Sequence, residues 1–549
     1  MRSRGRVPLL LAGAMTFVAV VAVLWRMRRG IDFTDEAFYL SLAHRFALGD
    51  KPFVDELNIA QTASLLLYPL VKLHVLVRGT TGIFLFIRIV YVLFFGSVGW
   101  AAYAVGARRL PRHTALLAGS PAIAFIPYGI PGLSYNTLSS GLLAIGLFML
   151  AGALLAPPDE PPRFLRDRLT WSGFALGAAT FAYPSLVVSA GVGTVAVFVL
   201  ASGRRVVSAL RVALGGGMFA LLVSPVFLLA GRRHLQEVIA YSGGGMPMTT
   251  AKLHTVWTQF VAMHPEWPFM VVVVAIAMAV ARKWPRLIVL GLPLIPLLAK
   301  GSPVPGTGTA LAYVSSFALL APVIGFALRD TRFALTLVVG VWVPSASAGA
   351  IAAWSSSNGA IAAGLGLFPA ALVTGLLLAK WITELTRPFH TNTLRVMFGF
   401  APVVVLHTMV KIALADDAVY RDGQLPLLGA KVTDGPYKGI YTTSERQRSL
   451  ARMSADIQNL ATTSHALFYY DFPAGYLIAS RRPLVPSTWI FAMEPRLSMD
   501  ADRFSLLASP GDVVFRVGSM QSSNPLDRNV KARCESLGSR EGYAVWRVR

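Results

Sequence analysis

Long apolar segments constrain this chain more than any other feature of its sequence. Runs of roughly 17–25 apolar residues recur as far as about residue 415, and each is long enough to cross a bilayer as a helix. Within hydrocarbon only helices and closed barrels satisfy their own backbone groups, and continuous apolar runs select helices. Of the 549 residues, 55% are hydrophobic and 14% are charged, whereas a soluble domain carries about 25% charged residues. The sequence therefore predicts a multi-pass membrane protein.

We predict about thirteen membrane-spanning helices from these runs. They lie at about 7–25, 82–105, 114–130, 133–156, 170–184, 185–202, 212–230, 267–281, 286–299, 310–328, 333–352, 359–383 and 395–415. The basic start of the chain is typical of a signal peptide, but no small-residue cleavage site precedes Arg26. The first run is therefore predicted to remain as a helix.

The net charge of +23 is concentrated in short connections between the apolar runs. From Asp416 onward 17 basic and 14 acidic residues nearly balance, so the surplus lies in the membrane part. Short basic connections are typical of the cytoplasmic side. This pattern predicts a cell-membrane protein (plasma or inner membrane) with a cytoplasmic N-terminus and an extracytoplasmic C-terminal domain. Membrane lipids are expected partners, and nucleic acid is not.

The chain divides into two predicted domains. Residues 1–415 form an all-α membrane domain with long outer loops at about 26–81 and 231–267. Residues 416–549 have the composition of a globular domain, large enough for one small core.

The C-terminal domain is predicted to be of the α/β class. A polar stretch predicts a helix at 440–460, and short apolar runs predict strands at 465–471, 512–517 and 543–548. Proline and glycine predict turns at 473–476 and 481–483. The single cysteine, Cys534, excludes an internal disulfide.

The first outer loop holds most of the acidic residues on the outer side of the membrane part. Asp35 and Glu36 follow the first span by about ten residues and begin an amphipathic stretch at 36–48, near the outer headgroup boundary. A carboxylate at that depth is partly desolvated, which makes it a better proton acceptor from a hydroxyl group. On spacing alone, however, a helix cap is the favoured interpretation of Asp35.

Residues 34–50 and 55–69, TDEAFYLSLAHRFALGD and DELNIAQTASLLLYP, resemble the first outer loop of the GT-C glycosyltransferases. The closest resemblance is to the protein O-mannosyltransferase and aminoarabinose-transferase branch. In that branch an acidic pair follows the first helix, and a second helix returns to the membrane after a glycine-containing turn. This chain has Gln61 and Thr62 where the family often has a proline-containing motif.

The resemblance implies a GT-C fold and an inverting glycosyltransferase. Asp35, paired with Glu36, would be the general base that deprotonates the acceptor. The donor would be a hexose or pentose on a polyprenyl phosphate, and the acceptor an envelope glycan, lipid or protein. Asp55 or Glu56 would be the second acid beyond the amphipathic helix, and Gln61 lies beside it.

A lipid-linked donor also requires cations at the depth of its phosphate. Arg88, within the second span, is the best buried candidate, because an ionisable residue in a span is a functional-site suspect. Extension of Arg88 to the interface is an equal alternative. Arg232 and Arg233 lie in the second outer loop, where attachment to lipid headgroups explains them equally well.

Other candidates are weaker. Glu56, His264 and Glu266 have side chains suited to a divalent metal ion, but no tight ligand spacing is present and an ordinary interfacial histidine is favoured. We expect either no cofactor or such a metal. Tyr135 and Asn136 open the fourth span and are candidates to line a cavity, although a helix start is their ordinary interpretation.

Two other functions remain open. A transporter or flippase of lipid-linked sugars should show sequence repeats and polar groups at mid-membrane, and the sequence shows neither, which favours the enzyme. A non-catalytic envelope-assembly protein of the same fold is a third possibility. The absence of a glycine-rich phosphate loop followed by lysine disfavours an ATP-driven machine.

Overall fold

The computed structural model describes residues 6–156, 167–201, 203–243, 248–265, 267–281, 309–386, 419, 421–463, 465–490, 497–518, 520, 524–540 and 542–549. Two predicted spans, 286–299 and 395–415, lie outside the described residues, as does the proposed domain boundary at 415. Within the described ranges, seven helical stretches are long and apolar enough to cross a membrane. The multi-pass prediction is confirmed, whereas the count of thirteen spans is not.

The first four helices agree closely with the predicted pattern. Two are spans, α1 (Arg6–Met27) and α4 (Ile83–Gly106), and two lie in the connection between them, α2 (Asp35–Ala47) and α3 (Gln61–Arg78). Nearly every residue of α2 is buried. The sequence predicted an amphipathic helix along the membrane interface, and the structure instead covers α2 on all sides, partly with the C-terminal residues.

The predicted span at 114–130 is wrong. Helix α5 (Arg112–Gly119) ends after two turns and is followed by 3-10 turns at Ser120–Ala124 and Pro127–Gly129. Proline has no backbone N–H to donate, and Tyr128 adopts φ 57°, so an α-helix cannot continue here. Apolar composition alone did not reveal this break.

The described residues of the remaining membrane part are also mainly helical. It contains α6 (Tyr135–Leu154), α7 (Arg168–Ala182), α8 (Val187–Leu200), α9 (Arg205–Gly243), α10 (Thr250–Met263), α11 (Trp267–Ala281) and helices Thr309–Ala318, Ala321–Ala327, Thr331–Leu337, Val343–Ser355 and Ala363–Thr386. Helix α9 passes beyond the predicted end of its span with one break, at Gly231. Much of the predicted second outer loop is therefore helix.

The C-terminal residues form a small α/β unit, as predicted. A five-stranded sheet has the order β4-β3-β5-β7-β6, and a two-stranded sheet pairs β1 with β2. The strands are β1 (Ala430–Lys431), β2 (Tyr441–Thr442), β3 (His465–Tyr469), β4 (Arg482–Pro483), β5 (Val513–Val517), β6 (Cys534–Arg540) and β7 (Tyr543–Val548). Where the structure describes this unit, four α-helices accompany the strands, Ser444–Leu460, Ala474–Ala479, Leu497–Leu507 and Pro525–Arg533.

Two predicted turns of this unit are wrong. Residues 474–479 form a helix, and residues 482–483 form the short strand β4 parallel to β3. The tertiary contacts of the sheet override the local turn signal of proline and glycine at both places.

The two faces of the five-stranded sheet bury different cores. Phe468 and Phe515 belong to the core that continues into the membrane helices, whereas Leu467 and Val514 belong to a separate core. Side chains of a strand alternate between the two faces, so consecutive residues point to opposite cores. One face of the sheet thus lies against the first loop and holds it in place.

Residues 28–31 pair with this unit directly after α1. The Gly30 amide donates to the Tyr441 carbonyl at 2.8 Å, and the Tyr441 amide donates to the Arg28 carbonyl at 2.7 Å. Gly30 has φ +86°, and a Cβ at this position would lie 1.9 Å from Val419 Cγ1. Glycine is required because both the backbone conformation and the close approach exclude a side chain.

Candidate active site

A carboxylate caps α2, but it is not Asp35. Asp32 accepts the Thr34 amide through Oδ1 at 2.9 Å and the Glu36 amide through Oδ2 at 2.8 Å. Its Oδ1 also accepts the Thr34 hydroxyl at 2.6 Å. Because Asp32 already accepts the Thr34 and Glu36 amides at the start of α2, the capping explanation for Asp35 loses its main support.

Glu36 is buried and is held by Arg88. The Arg88 Nε donates to Glu36 Oε1 at 2.7 Å, and Nη2 donates to Oε2 at 2.5 Å, which is a bidentate ion pair. Arg88 also donates to the carbonyls of Met27, Arg29 and Gly30 at 2.8, 3.4 and 3.0 Å. Five acceptors thus match the five N–H groups of the guanidinium. The predicted contact of Arg88 with a donor phosphate is not part of this arrangement.

Asp35 lies on the more open side of α2. Its side chain is 24% exposed, whereas that of Glu36 is 1% exposed. Asp35 Oδ2 accepts the Thr34 hydroxyl at 3.3 Å and lies 3.8 Å from Nη2 of Arg421. Nη1 of Arg421 lies 4.0 Å from Asp471 Oδ2. The Arg421 guanidinium of the C-terminal unit thus lies within 4.0 Å of two carboxylates, Asp35 and Asp471.

Two tyrosines of the membrane part lie near Asp35. Tyr128 and Tyr135 are close enough to Asp35 to interact with its charge. Tyr135 stacks on Tyr183, with ring centroids 5.3 Å apart, and packs against Tyr39 at 5.5 Å. A carboxylate bordered by aromatic rings and hydroxyl groups suits a sugar, which presents both apolar ring faces and hydroxyls.

Two further groups hold these tyrosines. The Tyr128 hydroxyl accepts from Asn358 Nδ2 at 3.3 Å, and the Tyr183 hydroxyl lies 3.1 Å from Ser355 Oγ. Ser134, rather than Asn136, caps α6 through the Thr137 amide. Asn136 is half-buried in the first turn, beside Tyr135, and its predicted role at the cavity remains a prediction.

Glu56 belongs to a second buried cluster, at the far end of α2. Glu56 Oε2 accepts from Arg45 Nη1 at 2.7 Å and from the Thr488 amide and hydroxyl at 3.0 and 2.6 Å. The Gln61 amide group donates to the Glu56 carbonyl at 2.9 Å, and Asp55 accepts the Lys51 amide at 2.6 Å. About ten residues of helix, roughly 15 Å, separate this cluster from Asp35. These contacts fasten the loop to the C-terminal unit.

Arg232 and Arg233 are exposed on α9, just past the break at Gly231. Arg233 Nε lies 3.4 Å from Glu237 in the next turn, and its side chain is 87% exposed. Such a surface pair contributes little to stability. The structure does not place either arginine beside Asp35, and their proposed role in phosphate binding remains a prediction.

The predicted metal ligands have different partners. Glu56 is engaged by Arg45 and Thr488, whereas His264 Nδ1 lies 2.8 Å from the Ser316 hydroxyl. Glu266 lies outside the described residues. In the part of the chain that the structure describes, no three His, Cys, Asp or Glu side chains form a group suited to a metal ion. The described residues therefore do not offer the predicted ligand set.

Sequence reasoning missed Arg421, Tyr128 and Tyr183. Arg421 follows in the chain some 390 positions after the loop it contacts, and no local pattern marks that contact. Tyr128 and Tyr183 each lie next to a proline that interrupts an apolar run, Pro127 and Pro184. Interrupted helices in membrane proteins often line polar sites, so these prolines were a usable signal.

No family model matches the sequence, and no curated protein matches it. The fold does match solved structures. The oligosaccharyltransferase of Archaeoglobus fulgidus in the apo form aligns with a TM-score of 0.51 and 10% identity, over 92% of this chain and 69% of that one. The same enzyme in complex with Zn and sulfate aligns with a TM-score of 0.50 and 11% identity, over 97% and 72%.

ArnT of Cupriavidus metallidurans in the apo state covers 100% of this chain and 98% of that one, with 14% identity. Its TM-score is 0.46. At these identities the comparisons show the fold. It is the GT-C fold of membrane glycosyltransferases, with a small C-terminal α/β unit, which confirms the fold expected from the first loop.

Proposed function

We propose that this protein transfers a sugar from a polyprenyl-phosphate donor to an acceptor hydroxyl of the cell envelope, on the outer face of the membrane. The observation that carries the proposal is the position of Asp35. It is a half-open carboxylate at the start of α2, bordered by Arg421 and by tyrosines, in a chain with the GT-C fold. Most other acids of the first loop are already engaged by buried partners.

In the proposed reaction Asp35 is the general base. Its carboxylate accepts the proton of the acceptor hydroxyl while the hydroxyl oxygen forms a bond to the anomeric carbon of the donor. The bond between that carbon and the phosphate oxygen breaks, and the phosphate leaves with the electron pair. Attack from the face opposite the phosphate inverts the anomeric configuration.

Arg421 is the proposed partner of the leaving phosphate. Its guanidinium lies 3.8 Å from Asp35 and its side chain is 39% exposed, so a ligand can reach both groups. A cation beside the departing phosphate stabilises the charge that develops there. Arg88 is proposed instead as a positioning residue, because its pair with Glu36 fixes the turn of α2 that carries Asp35.

The test compares Asp35→Asn with Asp434→Asn, a matched change at an exposed carboxylate of the C-terminal unit. Both proteins are purified in detergent and supplied with radiolabelled polyprenyl-phosphate sugars and a cell-envelope extract as acceptor. We expect Asp35→Asn to lower kcat at least about a hundredfold with an unchanged melting temperature, and Asp434→Asn to behave as the unaltered protein.

The same assay also distinguishes sugar transfer from transport of lipid-linked sugars. If Asp35→Asn transfers sugar at the normal rate, Asp35 is not the base. If the unaltered protein moves lipid-linked sugars across vesicles without forming a new glycosidic bond, the transport function replaces the enzyme. Arg421→Gln should raise the KM for the donor more than the KM for the acceptor.

A further inference from the structure

A groove outside the candidate site lies between α3, the start of α4 and the turn at Lys438 and Gly439. Its volume is about 1000 Å³. Its walls are formed by the apolar side chains of Leu73, Val77, Leu85, Phe86 and Ile89. Helix α4 separates the groove from the candidate site, because Arg88 and Tyr91 are buried on its other side while Ile89 is 43% exposed.

Two cations stand at this groove. Arg78 ends α3, and Lys438 lies in the C-terminal unit, so two separate elements bring them together. Both are exposed. Among the described residues neither has an ion pair or a hydrogen-bonding side-chain partner, in contrast to Lys72 on the same helix, which bonds the Tyr68 hydroxyl at 2.9 Å. Two uncompensated positive charges favour an anionic ligand.

The surface beside the groove is apolar. Leu73, Leu76 and Val77 of α3 are 59%, 75% and 72% exposed. A cluster of exposed leucine and valine side chains on one helix is stable only where lipid or another protein covers it. The groove also flanks the first turn of α4, which is a membrane span, so it lies at the depth where the hydrocarbon meets the headgroups.

The shape of the groove is fixed by the protein itself. The Gly82 amide donates to the Gly435 carbonyl at 2.9 Å, and His74 bonds the Thr81 carbonyl through Nε2 at 3.0 Å. The His74 ring stacks on Phe86 with centroids 4.8 Å apart. A ligand therefore meets a preformed site and does not have to order it.

We propose that this groove binds an anionic glycerophospholipid of the surrounding leaflet. The phosphate lies between Arg78 and Lys438, and an acyl chain follows the apolar wall of α3 and α4. A zwitterionic lipid would bring its own ammonium group beside the two cations and gain less. This site is additional to the proposed donor site, from which α4 and Tyr437 separate it.

The test measures lipid binding by native mass spectrometry of the full chain in detergent, titrated with phosphatidylglycerol or phosphatidylcholine. The double variant Arg78→Gln/Lys438→Gln is compared with Lys431→Gln/Lys531→Gln, which removes two exposed lysines elsewhere. We expect the unaltered protein and the control to prefer phosphatidylglycerol by roughly ten- to thirtyfold, and the double variant to lose this preference.

Two further variants and a competition experiment test the same groove. Arg78→Lys/Lys438→Arg retains both charges and should retain the preference, even if the glutamine variant is unstable. Asp35→Asn should bind phosphatidylglycerol normally, which separates this site from the proposed function. Equal preference in the double variant and the control would overturn the proposal. So would displacement of phosphatidylglycerol by polyprenyl phosphate at equal concentration, because the groove would then belong to the donor.

Discussion

Two adjacent carboxylates, Asp35 and Glu36, have opposite environments. Successive residues of a helix point about 100° apart, so one side chain of the first turn enters the core while the next remains at its edge. Glu36 is fixed by a bidentate pair with Arg88, and Asp35 keeps contact with solvent and with Arg421. The acidic pair thus combines a structural residue with a residue that a substrate can reach.

Glu36→Gln is expected to destabilise the protein by about 3–5 kcal/mol, because it leaves the buried Arg88 without its counter-charge. Thermal and denaturant unfolding in detergent measure the effect. The neighbouring change Asp35→Asn is the control and should alter stability by less than about 1 kcal/mol, since its pair with Arg421 is long and partly exposed. Equal stability of the two variants would mean that the Glu36–Arg88 pair does not hold the loop.

His44 is expected to make the protein sensitive to acid. Burial lowers the pKa of His44 to about 4 from its usual value of 6.5. The folded protein therefore keeps this ring neutral while the unfolded chain takes up a proton, so stability present above pH 6.5 is lost as the pH falls toward 4. Between pH 7 and pH 5 the loss from this residue is about 2 kcal/mol.

The melting temperature at several pH values checks this expectation. His44→Gln should show a shallower decline between pH 7 and pH 5 than the unaltered protein. His254→Gln removes an exposed histidine and should follow the unaltered curve. A parallel decline in all three proteins would assign the acid sensitivity to other groups.

At the scale of elements, hydrophobic periodicity predicted the long helices well. α1 and α4 begin and end within a few residues of the predicted spans, because a membrane span repeats one signal over many residues. Short elements were harder to predict from the sequence. The break at 120–129 and the helix at 474–479 depend on proline geometry and tertiary contacts, which leave only a few residues of signal.

The pairing of residues 28–31 with the C-terminal unit depends on Gly30. Gly30→Ala should destabilise the protein, with about 1–3 kcal/mol from backbone strain and more from the clash with Val419. Limited proteolysis of the first loop and the melting temperature measure the effect. Gly30→Ala/Val419→Ala should recover most of the part due to the clash, since Val419 Cγ1 is removed and only its Cβ remains at 3.0 Å, but not the strain.

Gly13→Ala is the matched control, since a Cβ at Gly13 meets nothing within 4 Å and Gly13 lies inside α1. It should be neutral or slightly stabilising. If Gly30→Ala is equally neutral, the close contact with Val419 does not form in the membrane.

At the scale of the whole molecule, the candidate site is assembled from distant parts of the chain. Asp35 was predictable because its motif and its position after the first span are local features. Arg421 was not, since nothing near it in the sequence identifies the loop that it reaches. The arrangement of the tyrosines in the membrane part could not be predicted from the sequence either, because the stacking of Tyr135 on Tyr183 depends on how separate helices pack.

A disulfide between the first loop and the C-terminal unit should leave the proposed sugar transfer intact. Arg29 and Tyr441 form a parallel β-bridge. Neighbouring strands lie about 4.8 Å apart, which is within the Cα–Cα range of a disulfide. The one natural cysteine, Cys534, is buried, so Arg29→Cys/Tyr441→Cys should cross-link cleanly under oxidation. We expect transfer by the cross-linked protein to stay within about twofold of the reduced form, because the β-bridge already holds these two backbones together.

Activity that falls on oxidation and returns on reduction would show instead that the C-terminal unit moves away during each cycle. The single variant Arg29→Cys, treated in the same way, accounts for any effect of the substitution or of the oxidant.

The contacts between the first loop and the C-terminal unit also order the events of biosynthesis. Ile31 bonds Asp422, Asp32 bonds Tyr437 and Glu56 bonds Thr488, across 391, 405 and 432 positions of the chain. The ribosome must therefore synthesise the chain at least as far as Thr488 before the first loop can reach its final conformation. Until then its buried charges remain in water, and contacts of such long range form slowly. We expect a nascent or truncated chain to insert its helices normally and yet have no functional site, so that incomplete copies remain inert in the membrane.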